Sequence, residues 1–243
     1  MRTKGLFGLT AFTLAGIAVL IGLGLWQLQR LGWKQAVIAQ IETRSTAEPI
    51  ALDEAIALSR EGRDPSYYRV RVEGRFHHDL ERYLYAASEG KPGWHVIAPL
   101  QTEDGDIVLV DRGFVPDSLR DPSTRPRGQM EEVVTVTGLA RASETPNVFT
   151  PDNEPEANRW FWRDLAGMSQ SMFPSGTREI VPFFVEAEKS EVPGGWPLGG
   201  QTQLNITNNH LQYALTWFAL ALCLAVIYAV YVWGQLSQRP GSK

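Results

Sequence analysis

The chain has 243 residues, room for one folded domain and a few membrane segments. Its 23 basic and 27 acidic residues leave a formal net charge of −4, and every acidic residue lies between Glu42 and Glu191. The middle of the chain is therefore acidic, a poor match for nucleic acid. The single cysteine, Cys223, falls in an apolar stretch near the C-terminus, which excludes a disulfide framework or a thiolate metal site in the central region.

The mean hydropathy of −0.18 hides two apolar ends. Leu6 to Gln29 contains no Asp, Glu, Lys or Arg, and neither does His210 to Gln238. A helix rising about 1.5 Å per residue needs roughly 20 residues to cross the hydrocarbon, and both stretches reach that length. A signal peptide has an apolar core of only about 7–15 residues before a small-residue cleavage site. Here the first run ends instead in Trp26-Gln27-Leu28-Gln29-Arg30, so an uncleaved helix is expected. Arg2 and Lys4 precede the first helix, and Arg239 and Lys243 follow the second. The positive-inside rule places both tails in the cytoplasm and the long loop outside; Arg30 and Lys34 argue the other way, but long loops are largely exempt from the rule. No Arg- and Ser-rich presequence precedes the first helix, which favours a bacterial inner membrane over a mitochondrion. The expected layout is a tail at 1–5, a transmembrane helix at 6–29, a periplasmic domain with linkers at 30–209, a second transmembrane helix at 210–234 and a tail at 235–243.

After Arg30, an amphipathic continuation from Trp33 to Ile41 extends the first helix. Leu52 to Arg60 has helical spacing, with Leu52, Ala55, Ile56 and Leu58 apolar and Gly62 as a stop. Seven strands are expected: Tyr68 to Phe76, Arg82 to Ala86, Trp94 to Leu100, Asp106 to Val115, Glu132 to Ala140, Asn158 to Arg163 and Ile180 to Glu186. Pairs such as Glu89-Gly90 and Asp104-Gly105 separate them. Asp164 is placed to cap a short helix from Leu165 to Met172. Glu191 to Gln203 is a Gly/Pro linker back to the membrane. The predicted fold class is a membrane protein with two transmembrane α-helices flanking an α+β, mainly antiparallel β domain, barrel- or sandwich-like, on the extracytoplasmic side.

No Gly-x-Ser-x-Gly elbow, P-loop or Gly-x-Gly-x-x-Gly motif occurs. His77 and His78 are adjacent at a strand end and point to opposite faces, so they do not share an ion easily. His95 reads as a half-buried strand histidine. His210 differs, because it opens the second membrane helix, with Tyr213 and Trp217 on the same helical face. The first helix brings Trp26, Arg30, Trp33 and Lys34 to the same interface. A histidine, flat aromatic rings and two cations suit a flat, apolar, anionic ligand such as a haem, with its iron on His210 and its propionates near Arg30 or Lys34. Interfacial aromatic belts and snorkelling bases give the same composition without a ligand. Ala221, Ala225 and Ala229 recur every four residues, as do Ala18 and Gly22. This spacing suits close helix contact at mid-membrane with a splay near the outer surface; the alternative is that these faces pack on another membrane protein.

The chain resembles the surfeit locus protein 1 family, assembly factors for haem-copper cytochrome c oxidase. The resemblance rests on Leu23-Gly24, Trp26-Gln27, Arg30 and Trp33-Lys34 at the end of the first helix, and on Gly74 and Phe76. It continues with Gly93, Val96, Pro99 and Leu100, then Leu109-Val110-Asp111-Arg112-Gly113, where the family usually has Asn for Asp111. The closing signature is His210, Tyr213, Ala214, Thr216 and Trp217. The resemblance implies assembly rather than catalysis, with haem a bound through His210 as axial and metal ligand. Tyr213, Trp217, Trp26, Arg30 and Lys34 line the implied site. The implied partners are the oxidase catalytic subunit, haem a synthase and membrane lipid, without nucleic acid. A scaffold that stabilises an oxidase assembly intermediate without touching haem is the alternative, and a membrane-anchored periplasmic enzyme is a third. Phe114, Trp160 and Trp162 are aromatic candidates for a docking surface, and core packing explains them equally well.

Overall fold

The computed structural model describes residues 3–88, 90–176, 179–202 and 207–237, with side chains from residue 6 onward. Arg2, Arg239 and Lys243, the side chain of Lys4, Glu89 of the Glu89-Gly90 turn and the linker end at Gln203 lie outside the described residues. The chain divides into two compact units. One joins residues 1–40 to residues 205–243, and the other is the domain at 41–204.

In the first unit, α1 (Thr3–Thr46) and α4 (His210–Ser237) are both long and apolar enough to cross a membrane. Their side chains support that reading. Phe7 is 77% exposed, Phe12 79%, Ile227 67% and Trp233 76%. Apolar surface on that scale, on helices whose backbone bonds are satisfied internally, belongs in lipid. The end of α1 belongs to the domain. There Arg44 donates to the carbonyls of Asp64 and Ser66 and lies over the ring of Tyr68.

The domain is built on a closed barrel of five strands: β2 (Arg69–Phe76), β6 (Val134–Arg141), β7 (Ile180–Ala187), β5 (Ile107–Pro116) and β4 (Lys91–Gln101), in that order around the wall. Closure comes from the pairs Arg75↔Gln101 and Phe76↔Leu100. Gly74 permits it, because a Cβ there would overlap the Gln101 carbonyl. Two strands flank the barrel: β1 (Ile50–Ala51), parallel to β2, and β3 (Arg82–Ser88), antiparallel to β4. The β2 alternation is reproduced, with Val70, Val72, Gly74 and Phe76 buried between exposed Arg71, Glu73 and Arg75. These residues meet Leu100, Val110, Phe183 and Val185 in the main core, to which α2 (Leu52–Arg60) adds Ala55 and Ile56. A second core of Ile97, Leu109, Trp160 and Phe184 lies under α3 (Leu165–Met172). As the sequence predicts, Asp164 caps α3, its Oδ1 accepting from the Gly167 N–H at 2.9 Å.

Three features differ from the sequence reading. Asn158 to Arg163 is not a strand. Asn158 is left-handed, with φ at 49°, and Trp160 makes only an isolated bridge to Leu84 while its ring is fully buried. A run of three aromatic residues imitates a strand, but this one exists to deliver Trp160 to the second core. β5 pairs with β7 in parallel, inside an otherwise mainly antiparallel wall. Finally, Phe114 and Trp160 are core residues, 4% and 0% exposed, and so supply no docking surface.

Candidate functional site

The apolar ends hold the residues that the sequence singles out. α1 and α4 run antiparallel, and their contacts descend in order. The Thr10 hydroxyl bonds the Tyr228 hydroxyl, Gly16 faces Leu224, Gly24 faces Phe218, and Gln27 meets His210. Lys34 closes the series by donating to the Thr207 carbonyl. The interface therefore runs through Thr13, Gly16 and Gly24 on α1, and through Ala214 and Ala221 on α4. This corrects the expected small-residue faces in part: Ala221 is in the interface, but Ala18, Gly22 and Ala229 are exposed and nothing lies within 4 Å of a Cβ at Gly22. The Leu23-Gly24 pair acquires a physical reason, since a Cβ at Gly24 would sit 2.5 Å from the Phe218 ring. The expected splay near His210 is also absent from the structure, as the helices remain in contact through that level.

His210 is the first residue of α4, and its N–H donates to Asn208 Oδ1 at 3.4 Å. Its Nδ1 lies 2.7 Å from Gln27 Oε1. An oxygen acceptor at that distance selects the Nδ1–H tautomer, which leaves the lone pair on Nε2. Gln27 is thus the residue that sequence reasoning missed as a site partner. The sequence showed it as half of the Trp26-Gln27 pair on which the resemblance rests, but not as a partner of His210. The remaining candidates are distributed unevenly. Trp217 is half-buried, whereas Tyr213 and Trp26 are 56% and 50% exposed. Arg30 is exposed, with its guanidinium 4.8 Å from the Trp33 ring centroid.

The domain contains two buried ionic networks that the sequence did not reveal. In the first, β5 carries one extra residue opposite β4, Gly113 at φ 109°, where the register shifts between His95 and Ile97. Asp111, fully buried, then accepts from His95 Nδ1 at 2.9 Å, from the Gly113 N–H at 3.0 Å and from Arg163 at 3.0 Å. Glu186, opposite Asp111 on β7, pairs with Arg141 at 3.1 Å and lies 3.7 Å from Arg163. Burial alone would raise the Asp111 carboxyl, but His95 and Arg163 outweigh it and hold it well below the usual range. Burial likewise opposes the imidazolium of His95, and Asp111 overcomes this to raise its pKa. Ligand atoms of His95, Asp111 and Glu186 lie within 4.8 Å of one another, a spacing suited to a metal. The guanidinium of Arg163 already bridges the two carboxylates, so the cluster is a compensated ion network with its cation built in.

The second network centres on Glu81. Both oxygens bond Arg125, His78 lies 3.6 Å away and Arg112 3.5 Å away, and Tyr83 donates at 3.1 Å. Burial pushes the carboxyl up, but its neighbours His78, Arg125 and Arg112 hold it at about 2. Burial pushes Arg112 down to about 10. His78 therefore belongs to an ion network, whereas His77 bonds Gln101 at 3.0 Å, and neither behaves as half of a metal pair.

Comparison with known proteins matches residues 14–222 to the model of the SURF1 family. The chain belongs to the SURF1 family. It is 38% identical to the Mus musculus surfeit locus protein 1 over 228 residues, covering 87% of this chain and 71% of that protein. It is 38% identical to the Homo sapiens protein of the same name over 225 residues, covering 85% and 72%. A SURF1-like protein of Monosiga brevicollis is 35% identical over 238 residues, covering 93% and 86%. The SURF1 match includes the last three-quarters of α1, the whole barrel and the start of α4, so Gln27, His210 and both ion networks lie inside it.

Proposed function

We propose that this protein is an assembly factor for a haem-copper cytochrome c oxidase. It carries haem a on His210 near the outer membrane surface and aids its insertion into the catalytic subunit. Family membership supports the assembly role and a non-catalytic protein. The observation that supports the haem site is the Gln27–His210 hydrogen bond, which leaves Nε2 of a partly exposed imidazole free to ligate. The surrounding residues suit a haem. Tyr213, Trp217 and Trp26 offer aromatic faces, and Arg30 and Lys34 are the cations for its propionates. When bound, the haem supplies the iron that His210 holds. Gln27 orients the ring, and the apolar flanks of the helices exclude water. The protein sits in a bacterial inner membrane with both termini cytoplasmic and the acidic domain periplasmic, where the domain engages the oxidase subunit or haem a synthase. A second reading, a scaffold that never touches haem, is favoured by the closed contact of α1 and α4 at the His210 level. The experiment is to purify the full chain from cells that make haem a and record its visible spectrum. A haem a spectrum that is lost in His210→Ala supports the carrier. A colourless protein that still co-purifies with the oxidase subunit overturns it and leaves the scaffold.

A further inference from the structure

The domain's most exposed large apolar side chains are adjacent. Val148 and Phe149 are each 92% exposed, at the tip of the connection between β6 and α3. An isolated exposed apolar residue is ordinary, but two at the tip of a braced turn are not. Asn147 Oδ1 accepts from the Phe149 N–H at 2.9 Å, and the Thr150 hydroxyl accepts from the Asn147 N–H at 3.1 Å. Pro146 and Pro151 stiffen the chain on either side. The base of the turn is pinned. Glu144 pairs with Arg163 at 2.8 Å and receives its backbone N–H at 3.1 Å, and Asn153 Oδ1 accepts from the Phe161 N–H at 2.8 Å. Arg163 is in turn held by Asp111 in the barrel wall. The tip is thus presented by a preorganised support, so little further ordering is needed when it is covered.

We infer that this turn is a docking finger, with Val148 and Phe149 entering an apolar pocket rimmed by Lys or Arg on a partner protein. Charge identifies the class of partner. No Lys or Arg occurs between Arg141 and Arg159, while Asp152 and Glu156 follow the tip in sequence and take part in no ion pair of the described residues. Unpaired acids without nearby bases in the sequence disfavour an anionic lipid surface, which selects basic flanks. They also disfavour a second copy of this acidic domain. They complement a basic rim, which speeds encounter, while the buried aromatic anchor holds the complex. The inference supplies a docking element for the assembly reading and rests on it only in expecting a partner.

The test replaces Phe149 with the photocrosslinker p-benzoylphenylalanine in the full chain in its native membrane, and sequences the crosslinked peptide. The expected result is an adduct on one protein, at a peptide with apolar residues and neighbouring Lys or Arg. Asp152→Lys with Glu156→Lys should lower the yield at least fivefold. Val148→Ser with Phe149→Ser should lower co-purification of that same protein at least tenfold without changing the thermal midpoint, because neither side chain packs on the domain. No adduct, adducts only to lipid, adducts only to a second copy, or a yield indifferent to charge reversal each overturn the inference. An adduct on a protein outside the oxidase pathway upholds the finger and counts instead against the proposed oxidase role.

Discussion

Asp111→Asn is the most informative single change in the domain, because it preserves shape and removes one charge. Asp111 accepts from His95, Arg163 and the Gly113 N–H, all at 2.9–3.0 Å, with no exposed surface. Asparagine retains one oxygen for Arg163 or Gly113 and loses the charge that both cations face. Breaking a buried ion pair costs about 3–5 kcal/mol, and the retained hydrogen bond places this case near the lower figure, about 3 kcal/mol. For a domain of this size, about 2–4 °C per kcal/mol gives a fall in Tm of roughly 6–12 °C. The pH dependence is also fixed in sign. Asp111 lifts the pKa of His95 above its ordinary 6.5, so that part of the stability is fully present below pH 6.5 and is lost as pH rises through the folded value. The gap between wild type and Asp111→Asn is therefore widest below about pH 6.5 and narrows as pH rises through the folded value of His95. Scanning calorimetry of the detergent-solubilised full chain across this range reads both effects. A variant within about 1 °C of wild type at pH 6, or a gap that widens with pH, refutes the network.

Glu81→Gln tests the second network. A carboxyl held at about 2 instead of 4.5 contributes about 3 kcal/mol that is fully present above pH 4.5 and lost as pH falls toward 2. Urea midpoints should show a deficit in the variant at pH 7 that closes as pH falls below 4.5. Gly113→Ala removes the conformation on which the β5 bulge depends, because φ there is 109° and a Cβ would overlap the Leu198 carbonyl. The expected loss is at least about 3 kcal/mol by urea denaturation, well above the ordinary cost of an exposed substitution.

How much of this was legible depends on the range of the forces involved. The end helices follow from length and absence of charge, and α2, α3 and the β2 alternation follow from local spacing, so the sequence shows them directly. The ion networks join residues far apart in the chain, such as Asp111 with Arg163 and Glu81 with Arg125, and no local pattern marks them. His95 and Asp111 looked like separate strand residues until the Gly113 bulge brought them together. The same limit applied to the membrane helices. Ala18 and Gly22 had the right spacing, but the packed face was chosen by Phe218, which needs Gly24. The aromatic residues that looked most available, Phe114 and Trp160, were consumed by the core. Phe149, set among prolines and polar residues, stays outside, 92% exposed.

The two histidine arrangements differ in the partner at Nδ1, and in the proposed role that difference is functional. His95 faces a carboxylate, whereas His210 faces the neutral amide of Gln27. A carboxylate behind an imidazole raises its basicity and strengthens a metal bond made by the other nitrogen; an amide fixes the tautomer and orientation with a smaller electronic effect. A carrier needs the second behaviour, because it must release what it holds. Gln27→Glu keeps the shape and reach of the side chain while supplying the carboxylate. If His210 carries haem a, Gln27→Glu should retain it longer, with at least a threefold slower transfer to an apo-globin scavenger followed by absorbance, and should lower haem a loading of the oxidase in cells. Transfer rates equal to wild type in both assays would mean that Gln27 does not act on the ligating nitrogen. The Gln27–His210 contact would then be helix packing alone.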